Sequence, residues 1–165
     1  MTLDNSFGLP DTHIQMLAPA AELDFFDQQS VRLPKNLSAP EAWFSIISRP
    51  APLLKMAFSI RDAVSTLFGV KRIGGFSGQY PETVKVGDML DFFLVEHVSP
   101  DVLTLTARDR HLDVMTCIST SRQVLTITSS VKTHNRFGRF YMLPVAPVHR
   151  LIVRSDLKRL RRELS

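Results

Sequence analysis

Two short segments hold most of the side chains able to do chemistry. Arg108 to Asp113 reads R-D-R-H-L-D and sets His111 two residues from Asp113. Alternate residues of a strand share a face, which would place both beside Met115 and Cys117. A carboxylate next to an imidazole orients it as a general base. Lys132 to Tyr141 reads K-T-H-N-R-F-G-R-F-Y and adds His134, Asn135, Arg136, Arg139 and Tyr141. Such crowding at a strand end, with Asn depleted in strands, marks either a site or a tied-down turn. His149 follows soon after, and Arg61 stands beside Asp62 far upstream.

These residues give two expectations. His111, Asp113 and His134 are the candidates for acid–base catalysis. Arg61, Asn135, Arg136, Arg139, Tyr141 and His149 are the candidates for ligand binding, since Arg suits bidentate contact with carboxylate or phosphate. We expect His111, Asp113, His134, Asn135, Arg139, Tyr141 and His149 to form one polar cluster between the sheet and the last helix. The plainer reading is that Asp109, Arg110, His111 and Asp113 only fix a hairpin. Arg61 or Asp62 is expected to ion-pair with a residue such as Asp113 or Arg139. Two histidines and a carboxylate can hold a metal, but no spacing here demands one; no metal and no cofactor is expected. G-x-S-x-G, H-E-x-x-H and paired catalytic carboxylates are all missing, so whether the chain is an enzyme stays open.

The elements that would position these groups follow from periodicity. Residues 1–20 read as a loose arm and 21–165 as one domain. Leu23 to Leu33 is a first strand. Ser38-Ala39-Pro40-Glu41 is a capping box, opening a short helix over 39–48. Arg49-Pro50-Ala51-Pro52 ends it. A second helix follows to about Phe68, and Gly69 is placed to stop it. Residues 69–82 form a glycine-rich loop without phosphate-loop order. Strand patterns then cover 89–98, 102–108, 111–120 and 123–133. Their short gaps imply antiparallel hairpins, and Gly138 reads as a bulge or bend that re-aims Arg136 and Arg139. Pro144 and Pro147 precede a final helix to about Leu164, which His149 would open. The expected core includes Phe25, Trp43, Ile60, Leu67, Phe92, Leu94, Leu103, Leu105, Val114, Ile127, Val131, Ile152 and Leu160. The fold class is therefore α+β: an antiparallel sheet with two short helices after its first strand and a long C-terminal helix packed on it.

This order resembles the helix-grip fold of the Bet v 1 and START-like superfamily, in which a cavity often lies between sheet and C-terminal helix. R-D-R-H-L-D, T-H-N-R-F-G-R-F-Y, P-V-H at Pro147 to His149 and S-I-R-D-A-V-S-T-L-F-G-V at Ser59 to Val70 are similar to domain-of-unknown-function family 2867, over roughly residues 20–160. That resemblance implies a bacterial protein. It also implies a small-molecule or redox context, because similar domains occur fused behind dehydrogenase-like domains.

Composition bounds the rest. The chain has 165 residues, 44% apolar and 22% charged, enough for one real core. No run approaches the roughly 20 apolar residues that cross a bilayer, and no secretory signal is expected. The one cysteine, Cys117, excludes an internal disulfide or a cysteine zinc cluster and reads as a small buried hydrophobe. Cytoplasmic localisation is expected. Charge is uneven: residues 132–165 hold nine Lys plus Arg against two acids, while residues 1–31 hold five acids and no base. The basic end reads as a solvated face, and with no reading motif or stacking platform nucleic-acid binding is not expected. The leading functional expectation is a small-molecule-binding domain with an apolar pocket, a polar or cationic rim and a small apolar or amphipathic ligand. The rivals are a cofactor-independent cyclase, dehydratase or isomerase, and an interaction module for a dehydrogenase-like partner.

Overall fold

A computed structural model describes residues 14–50, 52–67 and 75–165. After a 3-10 turn at Ala20–Glu22 come β1 (Phe25–Arg32), α1 (Ala39–Ile47), α2 (Pro52–Leu67), β2 (Met89–Leu90), β3 (Phe93–Val98), β4 (Val102–Arg108), β5 (Leu112–Ser121), β6 (Val124–Thr133) and α3 (Arg136–Leu164). All six strands form one antiparallel sheet in the order β1-β6-β5-β4-β3-β2. The expected α+β class and the long C-terminal helix are what the chain adopts.

Strand alternation divides the sheet into two unlike faces. Val95, Leu103, Leu105, Ile118, Leu125 and Ile127 share the inner face, where they pack with Trp43, Ile46 and Ile47 of α1 and with Val153, Leu157 and Leu160 of α3. The outer face is paved with Thr104, Thr106, Cys117, Ser119, Thr126, Thr128 and Ser130, yet these too are buried. Several of their hydroxyls are satisfied locally, whereas Ser119 Oγ is buried without a partner. Ser30 Oγ meets Thr126 Oγ1 at 2.8 Å, Gln28 Nε2 donates to Thr128 Oγ1 at 3.2 Å, and Thr106 Oγ1 donates to Glu96 Oε1 at 2.8 Å. Gln15 N–H donates to Cys117 Sγ at 3.5 Å and Leu17 N–H to Ser130 Oγ at 3.2 Å. Residues 15–17, part of the expected loose arm, therefore lie against β5 and β6.

Five expectations need correction. The strand read over 89–98 is two strands, because Asp91 takes a left-handed φ of 56° and turns the chain between β2 and β3. The last helix begins at Arg136, not beyond Pro144. Asn135 is its N-cap and accepts from Gly138 N–H at 2.9 Å, a role for which Asn is among the preferred residues. Pro144 and Pro147 lie inside the helix on exposed positions, where the carbonyls they leave without a donor can be hydrated. Gly138 is accordingly a helical residue rather than a bulge, and His149 is mid-helix. Finally, Ile60 and Leu67 are exposed, at 57% and 83%. They lie on the outer side of α2, away from the core. The expected helix stop at Gly69 and the first residues of the glycine-rich loop lie outside the described residues.

Candidate functional site

The two segments that stood out in the sequence touch each other. Asp109 builds the β4–β5 turn: its Oδ1 accepts from His111 N–H at 2.6 Å and Leu112 N–H at 2.9 Å. The start of α3 docks on that turn. His134 N–H donates to the His111 carbonyl at 2.7 Å, and Asn135 Nδ2 donates to the Arg110 carbonyl at 3.3 Å. Gly138 packs against the His111 carbonyl so closely that a Cβ there would collide with it. The arrangement is a clasp between hairpin and helix.

Inside the clasp the candidate catalytic groups are heavily engaged. Arg110 Nε and Asn135 Nδ2 face the two ring nitrogens of His111 at 3.2 and 2.9 Å. A neutral imidazole accepts at one nitrogen only, so only one of these bonds forms at a time, and donors crowd both edges of the ring. His134 Nε2 and Asp113 Oδ1 are 3.1 Å apart, while Arg108 Nη1 takes Asp113 Oδ2 at 3.3 Å. The His134–Asp113 pair has acid–base geometry, on an exposed rim.

The other candidates divide into separate places. The Arg136 and Arg139 side chains are exposed in the first turns of α3. Arg139 lies near Asp24, whose carboxyl is held below its usual range chiefly by the Thr133 N–H, with Arg139 and Lys132 assisting. Arg61 pairs with its own neighbour Asp62 at 2.9 Å, with neither more than 17% exposed, rather than with Asp113 or Arg139. The same guanidinium lies against Tyr141, whose phenol burial pushes up against the opposing pull of Arg61. Tyr141 stacks on Phe137 at 6.3 Å, and Phe137 meets the His111 ring at 4.5 Å. A continuous series of contacts thus runs from α2 through α3 to the β4–β5 turn.

His149 stands apart from that series. Its Nε2 shares a 3.0 Å hydrogen bond with Ser129 Oγ, and its ring stands edge-on to Phe25 at 5.6 Å. Burial lowers its pKa below the usual histidine value, partly opposed by Asp27. Beneath it, Asp27, Ser129 and Thr116 are direct cross-strand partners on the inner face. Gln29 Nε2 donates to Asp27 Oδ2 at 2.7 Å and to the Arg150 carbonyl at 3.0 Å, while Arg150 Nε approaches Asp27 at 3.7 Å. This polar row separates the main core from the smaller apolar group of Phe25, Val131 and Met142. Sequence reasoning missed it. The available signal was Asp and Gln at the inward positions of a strand.

An aromatic-walled recess lies elsewhere, beside α2. It has a volume of about 280 Å³ and is lined by Pro50, Lys55, Phe58, Ser59, Asp62, Gly75 and Phe76. Phe76 is the hub of an aromatic pile, in contact with Trp43 at 5.7 Å, Phe58 at 5.4 Å, Phe92 at 5.5 Å and Phe93 at 6.4 Å. The ring-edge and offset geometries are those aromatic pairs prefer. None of the expected cationic rim, Arg136, Arg139 and His149, lines this recess; Arg61 and Tyr141 reach it through Asp62. A second recess of about 100 Å³ lies at the β5–β6 turn. Among the described residues no group of three or more His, Cys, Asp or Glu is placed to hold a metal, and no helix is long and apolar enough to cross a membrane.

Fold and surface together define a sheet-and-helix protein that carries, among the described residues, an aromatic-walled cleft and a polar helix–hairpin clasp. A family profile matches residues 19–156, and the chain belongs to that family, the proteins of unknown function DUF2867. The clasp residues lie within that span. Comparison with curated proteins finds no match.

Proposed function

We propose that residues 21–165 form a small-molecule-binding domain whose ligand occupies the cleft between α2 and the aromatic pile. The observation that carries this is Phe76: half-buried, central to four ring contacts, and on the cleft wall with Phe58. Ligand sites are typically apolar concavities with a few polar groups, and here Lys55, Ser59 and Asp62 supply those. The clasp then serves to fix α3, and so Tyr141, against Arg61 of α2. The lone buried thiol of Cys117 suits a reducing, cytoplasmic setting. Native mass spectrometry of freshly purified protein should show a co-purified small molecule. Phe76→Ala should remove it without unfolding the chain. An empty wild-type protein that also fails to bind a broad fragment set would reject the proposal.

A second reading has its own support. Met56, Ile60 and Leu67 on α2 and Phe140, Leu143 and Leu151 on α3 are large apolar residues, each more than half exposed. Exposed apolar surface of this kind marks interaction sites, which suits a docking module for a dehydrogenase-like partner. Co-elution with such a partner, lost in Ile60→Glu while the cleft ligand is retained, would favour this reading. The His134–Asp113 pair supports the enzyme alternative only as far as its 3.1 Å geometry goes.

A further inference from the structure

We infer that the cleft selects a planar aromatic carboxylate, an inference that rests on the cleft being a ligand site. Three observations converge on that class. The first is the wall. Phe58 and Phe76 stand edge to face at 88°, leaving ring faces and edges, rather than an aliphatic tunnel, to meet a ligand. A flat ring gains offset or edge contacts there that an alkyl chain does not.

The second is size. About 280 Å³ is at or just below the low end of the roughly 300–1,000 Å³ typical of ligand sites. One or two fused rings suit it, whereas a long acyl chain does not.

The third is charge. The Asp62 carboxylate at the lip is matched by Arg61 at 2.9 Å. Lys55 is exposed at the same lip and makes no ion pair among the described residues, which places an ammonium group at the opening. A carboxylate supplies acceptors and the opposite charge together.

The test uses the full chain and three probes in calorimetric titrations: 2-naphthoate, its neutral counterpart 2-naphthamide, and decanoate, which keeps the charge and removes the rings. We expect 2-naphthoate to bind about tenfold tighter than either of the others, a difference of about 1.4 kcal/mol. Lys55→Met should erase the advantage over 2-naphthamide and much of the salt dependence. Phe76→Ala should abolish binding of every probe; Phe58→Leu, a milder change, should weaken 2-naphthoate more than decanoate. Equal binding of 2-naphthoate and 2-naphthamide, or tighter binding of decanoate, with both lost in Phe76→Ala, would overturn the ligand class and leave the cleft as a site. If no probe binds in a Phe76-dependent way while the fold is intact, both the class and the cleft are rejected.

Discussion

A single methyl group at position 138 would collide with the His111 carbonyl. The close approach of α3 to the β4–β5 turn therefore depends on that glycine. Overpacking a tight contact usually costs about 1–3 kcal/mol, and Gly138→Ala should destabilise the fold by that amount in denaturant unfolding. An unchanged midpoint would show the contact to be slack. Asp156 makes a different demand. It is 4% exposed, and burial raises its pKa from 3.8 to about 6 although Arg159, at 3.1 Å, pulls it down. Arg159 also donates to the Ile46 carbonyl at 2.9 Å, tying α3 to α1. Because the folded pKa is raised, the unfolded state binds fewer protons between pH 3.8 and 6. The Asp156 contribution to stability is thus full below about pH 4 and is lost as pH rises through about 6. The stability of Asp156→Asn relative to wild type should grow by up to about 3 kcal/mol from pH 4 to pH 7. A pH-independent difference would mean that Asp156 titrates normally. His149 acts in the opposite direction: its lowered pKa removes stability as pH falls below about 6.5.

At the scale of elements, caps and turns set where each piece begins. Ser38 and Glu41 form a complete capping box on α1, with Glu41 N–H donating to Ser38 Oγ at 3.3 Å and Ser38 N–H to Glu41 Oε2 at 2.9 Å. Loss of such a cap costs about 1 kcal/mol, and Ser38→Ala should lower stability accordingly. The β5–β6 hairpin turns through Arg122 and Gln123, at φ 48° and 67°. Two left-handed residues define the turn that matches strand twist, and Asn-Gly is its preferred sequence. Neither Arg nor Gln adopts it without strain. Replacing the pair by Asn-Gly should raise stability by about 1 kcal/mol, measured as a higher melting temperature. A loss would show that the Arg122 or Gln123 side chain is needed where it stands.

Across the whole molecule, the sheet is buried on both sides by different means. Helices cover the apolar inner face. On the outer face the hydroxyl-rich strands lie beneath residues 15–17, and burial pushes the Cys117 thiol above its usual pKa. Cys117 should resist a thiol reagent in the native full-length chain. A chain lacking residues 1–18 should react at least about tenfold faster while keeping its helical and strand content, because a thiol's reactivity follows exposure and thiolate fraction. Equal rates would show that residues 15–17 do not guard the face.

Local periodicity and capping were enough, from sequence, for the α+β class, the antiparallel pairing implied by short gaps, the capping box of α1 and most of the core from Phe25 to Leu160. These depend on neighbours a few residues apart, and residues that repeat every two or about 3.6 positions must share a face. The start of α3 was not legible, although Asn135 is a good N-cap. Two prolines look like a helix start and become tolerable inside one only where the helix meets solvent. The candidate cluster fared similarly. His111, Asp113, His134 and Asn135 come together because the β4–β5 turn receives the helix end. His149 and Arg139 go elsewhere because a helix starting eight residues before Pro144 rotates them to other sides. The cleft itself joins Phe58 to Phe76, which in turn meets Trp43 and Phe93, residues spread over positions 43–93. Only tertiary packing could assemble it, since no local rule relates positions so far apart in sequence.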